Sequence, residues 1–174
     1  MVQAIRWQDH IRDIPDFPKP GIIFKDITPM LAHGDAFEAA VSELSCFVPR
    51  GVDMIIGIES RGFIFGAALA QQLGLGFVPV RKPGKLPADV HAIEYELEYG
   101  MDRLEIHRDA LNEGHRVVIV DDLLATGGTA SATVKLVQQL GGQVEACLFV
   151  IELGFLNGRE ALKGVKTHAL QRYD

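Results

Sequence analysis

Two stretches of this chain repeat one local plan, and that plan restricts the fold more than any other feature. MIIGI (Met54 to Ile58) is followed by the turn ESRG and then by FIFGAALAQQLG; VVIV (Val117 to Val120) is followed by DDLLATGG and then by TASATVKLVQQLGG. A short run made wholly of apolar residues has no face to offer water. It must be covered on both sides, as strands are in parallel sheets flanked by helices. FVPV (Phe77 to Val80) and VEACLFVI (Val144 to Ile151) add two candidate strands, and HALQRY near the C-terminus suits an edge. Alternating strands and helices predict the α/β class, an open, mostly parallel twisted sheet flanked by helices. Ligands of such sheets sit beyond the C-terminal strand ends, so the turns after Ile58, Val80, Val120 and Ile151 should line one site.

The 174 residues suit a single domain spanning 1–174, one that buries roughly 70% of the surface its unfolded chain exposes. Two segments depart from the repeating plan. Pro15, Pro18 and Pro20 followed by Gly21 forbid a continuous helix, so DFPKPGIIFKD should cross the surface as extended or turn structure, a hood at about 14–30. In HAIEYELEYGMDRLEIHR, Ile93, Tyr95, Leu97 and Tyr99 alternate with charged or small residues before Gly100, and Leu104 and Ile106 alternate after it. That is hairpin or flap patterning, and it predicts a flexible loop over the site at about 83–104.

Composition removes several classes of function. An apolar fraction of 48% with 23% charged residues is ordinary for a soluble globular protein. A net charge of −6 argues against non-specific binding to nucleic acid or membrane, although a few local cations can still bind a phosphorylated small molecule. Cys46 and Cys147 lie in apolar runs with no metal or redox spacing and read as buried thiols, which suits the cytoplasm. The N-terminal MVQAIRWQDHIRDI has apolar and charged residues at helical spacing and lacks a signal-peptide core. No apolar run approaches the ~18 residues of a membrane span. Gly57 to Gly62 has P-loop glycine spacing, but Phe63 stands where the phosphate-reaching Lys is required. Ser60 fails the nucleophile-elbow pattern, and the six His residues show no zinc spacing.

VVIVDDLLATGGT remains, with two carboxylates at the mouth of a loop suited to an anion. The strand should deliver Asp121 and Asp122 to the sheet edge, and Ala125 to Thr129 should form a loop opening a helix near Ala130. Amides of Thr126, Gly127, Gly128 and Thr129, two hydroxyls and a helix N-terminus make a site for a terminal phosphate. The carboxylates stand several residues earlier, where the vicinal hydroxyls of a sugar are natural donors to them. A ribose 5′-phosphate satisfies both. The competing reading makes the acids solvated and the glycines a simple turn. Similarly, Arg81, Lys82 and Lys85 in RKPGKLP suit either a diphosphate or a solvated basic turn.

The thirteen residues VVIVDDLLATGGT resemble the phosphoribosyl diphosphate (PRPP) binding motif of the type I phosphoribosyltransferases. DFPKPGIIFKDITP, GIESRGFIFG, RKPGKLP and LEYG stand in the order found in the adenine-using branch of that family, covering most of the chain from Asp16 to Leu153. The resemblance implies the reaction of adenine with PRPP to give AMP and diphosphate. It implies that Asp121 and Asp122 hold the ribose, that Ala125, Thr126, Gly127, Gly128 and Thr129 hold the 5′-phosphate, and that Arg81, Lys82 and Lys85 hold the diphosphate. Because that basic segment can act across a dimer interface, a homodimer is expected. Arg61 would face the diphosphate and a ring nitrogen of adenine; the Ile23 backbone would read the amino edge of the base, with Phe24 and Leu153 on its two faces. Glu98 would take the N7 proton as N9 attacks, while Tyr99 packs over the reacting ribose. Mg2+ would bridge diphosphate and ribose oxygens near Asp121 and Asp122, held mainly by substrate and water. A transferase for hypoxanthine, guanine or xanthine is the nearer alternative. A PRPP-sensing regulator of the same fold would need a DNA-binding appendage or basic face, and neither is visible in this acidic sequence.

Overall fold

Charge pairing and proline decide the form of the N-terminal segment in the computed structural model, which describes residues 5–97 and 100–174. A 3₁₀ turn over Trp7–His10 leads into strand β1 (Arg12–Pro15), which pairs antiparallel with β2 (Ile23–Asp26). From Trp7 onward the helical spacing therefore yields a short turn and a strand, while Met1 to Ala4 lie outside the described residues. Arg12 and Asp13 find opposite charges across the pair, in Asp26 at 2.6 Å and Lys25 at 2.7 Å, and Pro15 cannot continue a helix. The proline-rich stretch between the strands is a turn: Gly21 donates its amide to the Asp16 carboxylate at 2.7 Å with φ at +86°, a conformation that glycine adopts without strain. Helices α1 (Thr28–Ala32) and α2 (Gly34–Ser45) follow. Trp7, Ile27, Met30, Ala36 and Ala40 are buried, and the Trp7 indole donates to Glu43 at 2.7 Å.

The chain divides into two compact units, the first ending at Glu43 and the second spanning Leu44–Asp174. The second contains β3 (Met54–Ile58), α3 (Arg61–Leu73), β4 (Gly76–Val80), β5 (Val90–Leu97), β6 (Gly100–His107), β7 (Arg116–Leu124), α4 (Gly128–Gln139), β8 (Gln143–Leu153) and β9 (Thr167–Tyr173). Five strands form one parallel sheet in the order β4-β3-β7-β8-β9, with β9 at the expected edge. The apolar runs of β3, β7 and β8 are covered on both faces; Ile55, Ile56, Val118, Ile119, Leu148 and Phe149 are at most 1% exposed. β5 and β6 form the separate hairpin anticipated from their alternation, joined to the segment after β4 by a bridge between Arg81 and Glu105.

From β3 the chain leaves toward β4, whereas from the adjacent β7 it leaves toward β8. The crevice between β3 and β7 is thus the point where connections diverge, the usual ligand position in an open α/β sheet. Three sequence expectations need correction. β7 does not end at Val120; paired to β8 as far as Leu124↔Glu152, it carries Asp121 and Asp122 inside the strand. Helix α4 begins at Gly128, two residues before Ala130, because Gly127 in a left-handed conformation already turns the chain. Cys147 is buried, its thiol pushed up to about 12 by burial, but Cys46 is exposed because α2 ends at Ser45 and leaves it in the following turn. No helix among the described residues is long and apolar enough to cross a membrane.

At the far end of β8, Glu152 is 2% exposed and is held by two arginines, Arg159 at 2.7 Å and Arg172 of β9 at 3.3 Å. Its neighbour Leu153 ends the strand.

In the first unit, the Asp26 carboxylate accepts from the Thr28 amide at 2.9 Å and its hydroxyl at 2.7 Å, a local turn that leads into α1. These bonds, with Arg12, hold the carboxyl down at about 2 from an ordinary 3.8. Its folded pKa being depressed, its contribution is present above the unfolded value and lost as pH falls from about 4 to about 2. Asp26→Ala should therefore cost about 1 kcal/mol in urea melts at pH 7, and the difference from the parent should shrink at acid pH.

Candidate functional site

The walls of the crevice are set by what the backbone can approach. Gly62, in the first turn of α3, lies so close to β7 that a methyl group there would stand 2.8 Å from the Val120 carbonyl and 2.9 Å from the Asp121 carboxylate. Only glycine lets α3 start against those acids. Arg61 then reaches Asp122 at 2.9 Å, and the Asp122 amide donates to the Asp121 carboxylate at 2.9 Å. Burial drives the Asp121 carboxyl well above its ordinary range, and the neighbouring Asp122 charge adds to the rise. Asp122 is raised as well, again by burial, with Arg61 opposing. Two adjacent acids that resist ionisation together mark a strongly negative place, fit for hydroxyl donors or a cation.

Beyond them, Ala125 to Thr129 turn into α4. Gly127 has φ of +82°, and a methyl group there would collide with the Gly158 carbonyl. A small cavity of about 80 Å³ is bounded by Asp121, Leu124, Thr126, Gly128, Thr129 and Phe149, among others. The first amides of a twelve-residue helix open here and have no intrahelical acceptor. Such a helix start attracts an anion.

A basic turn flanks the same edge. Arg81, Lys82 and Lys85 follow β4, as read from the sequence, and although partly exposed they are ion-paired. All three converge on Glu59, the residue after β3: its carboxylate accepts from the Lys82 amide at 2.7 Å and from Lys85 Nζ at 2.5 Å, and lies 3.5 Å from Arg81 Nε. Burial works to raise the Glu59 carboxyl, but these cations and the amide hold it below the usual range. Arg81 Nε is buried without a hydrogen-bond partner among the described residues. The Lys82 ammonium is paired with Asp102 of β6.

The sequence reading did not single out Glu59 or Asp102. The signal for Glu59 was its place, first after a buried parallel strand and beside the next strand's basic turn. Tyr95, read only as part of the hairpin alternation, lies across from Asp102 in the β5–β6 register and donates its hydroxyl to that carboxylate at 3.0 Å; the same hydroxyl is 3.2 Å from Thr129 Oγ1. Glu98 and Tyr99 lie outside the described residues. Leu153, at the end of β8, is partly exposed. In the first unit, Ile23 is 56% exposed and Phe24 packs edge-on against Phe17 at 5.2 Å. Among the described residues no group of three or more His, Cys, Asp or Glu gathers closely enough to hold a metal alone.

A parallel sheet with an acid pair at its crevice, a glycine turn opening a helix and a basic turn alongside suits a phosphorylated sugar. The chain belongs to the phosphoribosyl transferase domain family, whose model matches residues 25–168. It is similar to the adenine phosphoribosyltransferase of Methylococcus capsulatus, with 58% identity over 94% of this chain and 96% of that protein. The crystal structure of adenine phosphoribosyltransferase from Thermoanaerobacter pseudethanolicus has the same fold, with a TM-score of 0.92, 57% identity, and 95% and 96% of the two chains covered. The Saccharomyces cerevisiae adenine phosphoribosyltransferase, crystallised with an imino-altritol bisphosphate and adenine, matches with a TM-score of 0.87 and 42% identity over 94% of this chain and 96% of that one.

The raised Asp121 carboxyl has a measurable consequence. Its ionised form is penalised in the folded state, so the penalty is full above the folded pKa, shrinks as pH falls below it, and is gone only below the unfolded value near 3.8. Asp121→Asn should raise the Tm at pH 8, and its gain in Tm should fade on acidification. Differential scanning calorimetry at several pH values checks both halves; a Tm lowered at pH 8 would refute the burial argument.

Proposed function

We propose that this chain transfers the 5-phosphoribosyl group of PRPP to N9 of adenine, giving AMP and diphosphate in purine salvage. One observation carries the reading: acids, a phosphate-type loop and a basic turn stand apart from one another along a single sheet edge, as the diol, the 5′-phosphate and the diphosphate stand apart on PRPP. In this reading Asp121 and Asp122 accept from the ribose hydroxyls. Thr126 to Thr129 surround the 5′-phosphate with amides and hydroxyls, and Ala125 shapes the entry to the loop.

Breaking the bond from C1′ to the diphosphate leaves positive charge on the sugar and negative charge on the leaving group. Fixed cations at the leaving group and fixed anions near the sugar favour that separation, most of all where water is scarce. Arg81, Lys82 and Lys85 receive the diphosphate, exchanging the Glu59 and Asp102 carboxylates for phosphate oxygens, and Arg81 Nε, ion-paired with Glu59 but without a hydrogen bond, gains an acceptor. Arg61, at the head of α3, serves both the diphosphate and the base. The Ile23 backbone offers a donor and an acceptor to the 6-amino edge of adenine, with Phe24 and Leu153 on its faces. Glu98 takes the N7 proton as N9 attacks, and Tyr99 shields the ribose from water, whose attack would waste the substrate.

The crowded carboxylates Asp121 and Asp122 suit a hard cation such as Mg2+, which would neutralise diphosphate charge when bound. Most of its ligands would be substrate oxygens and water, with these two acids close by. The proposal extends to a cytoplasmic homodimer in which the Arg81 to Lys85 turn acts at or across the interface.

Competition among bases tests the substrate. Adenine should be used at least about a hundredfold better than hypoxanthine or guanine in kcat/KM, since a backbone donor and acceptor that meet the wrong edge lose their hydrogen bonds. A diphosphate-release assay reads this directly, and comparable rates with hypoxanthine or guanine would reject adenine as the base. Glu98→Leu should lower kcat by about 10²-fold or more while leaving KM for PRPP within a few-fold; an unchanged kcat would remove the proton-transfer role.

A further inference from the structure

Lys82 does not wait for the diphosphate unoccupied. Its ammonium is held by the Asp102 carboxylate, whose second oxygen accepts the Arg103 amide at 2.8 Å. The Tyr95 hydroxyl, directly across the hairpin, donates to the Lys82-bound oxygen of Asp102 at 3.0 Å. Having spent its one proton there, Tyr95 is left to accept from the Thr129 hydroxyl at 3.2 Å. A chain of polar contacts therefore runs from the phosphate loop to the diphosphate turn through two residues of the hairpin: Thr129, Tyr95, Asp102, Lys82. It is a built arrangement. Burial alone would raise the Asp102 carboxyl, yet Lys82, the Arg103 amide and Tyr95 together keep it below its ordinary range. The backbone fixes its position too, since Arg81 and Glu105 exchange hydrogen bonds at 2.9 and 2.8 Å and so pin β6 beside the basic turn.

We infer that Asp102 is a positioning residue for diphosphate release: it is an internal anion that reclaims Lys82 as the product leaves, held in line by Tyr95. The inference rests on the assignment of Lys82 to the diphosphate. A ligand oxygen that takes the Lys82 ammonium competes with Asp102 for its protons and meets a fixed negative charge beside it, so the carboxylate lowers affinity for the bare diphosphate and hastens its departure. Thr129 must likewise turn its proton from Tyr95 to the 5′-phosphate. The same hairpin pair is therefore loosened from both ends by PRPP, which carries both groups, but from only one end by diphosphate. Re-forming the whole chain of contacts requires that both subsites be vacated.

Product inhibition by inorganic diphosphate with magnesium tests this. Asp102→Asn keeps the shape and an acceptor for Lys82 but removes the charge. The displaced pair is partly exposed, its side chains 39% and 20% accessible, so its loss should tighten the inhibition constant for diphosphate by about two- to fivefold. KM for PRPP should fall in the same direction, and kcat should not rise. Tyr95→Phe, which leaves the carboxylate but frees it to swing, should move both constants the same way by less. Lys82→Ala separates the two claims. If it weakens diphosphate binding about tenfold or more while Asp102→Asn leaves the constant unchanged or weakens it, Lys82 binds diphosphate and the internal-anion role of Asp102 is wrong. If Lys82→Ala has no effect on diphosphate, the assignment of Lys82 itself fails. Should Asp102→Asn prove unstable by circular dichroism, a Tyr95→Phe constant at or above the parent value overturns the inference by itself.

Discussion

The ion pair between Arg61 and Asp122 is the contact on which the crevice depends. It spans the point where the chain's connections diverge, joining the start of α3 to β7, and it permits two carboxylates to reside in a strand buried on both faces. Without it, Asp122 would carry a charge at 8% side-chain exposure next to a second carboxylate, Asp121. Removing one member of such a pair typically costs several kcal/mol, because the survivor cannot be hydrated. Gly62 makes the contact feasible by admitting the helix start. The role proposed for Arg61 also requires that the pair be breakable, for a guanidinium committed wholly to Asp122 could not serve a substrate. Its 38% exposure leaves that freedom.

A common pattern appears around the site: the groups suited to ligand are already engaged by protein. Glu59 gathers the amide of Lys82 and the cations of Lys85 and Arg81, Asp102 takes the ammonium of Lys82, and Tyr95 takes the hydroxyl of Thr129. A cluster of like charges with no such partners would repel itself and splay apart. Internal counter-ions keep the subsites in shape while empty, and the cost is that each must be exchanged when a ligand arrives.

Much of this was legible in the sequence. MIIGI and VVIV could only be strands covered on both faces, and the alternation around Gly100 could hardly be other than a hairpin. The chain turns at Gly127 as its glycine required, with Gly128 and Thr129 already in α4. What escaped was whatever depends on a partner distant in sequence. Asp121 and Asp122 looked like the end of a strand because charge is rarely buried, yet pairing with β8 carries the strand past them. Glu59 looked like one more turn acid until the turn after β4 came beside it. Cys46 sat in an apolar run but fell one residue beyond the helix. Periodicity reports which faces are buried; it is silent on which charge will find which.

The Glu152 clamp has an implication for natural variation. This carboxylate is sealed at the end of β8, one residue before Leu153, by arginines that come from two later segments, the 3₁₀ turn at Arg159 and the edge strand at Arg172. Neither arginine lies in any part of the crevice assigned to substrate. Yet exchanging either for a neutral residue would strand half of an anion beneath the surface and relax the strand tip that carries Leu153. Inherited changes there should announce themselves as heat-sensitive enzyme of near-normal chemistry, a defect of persistence in the cell.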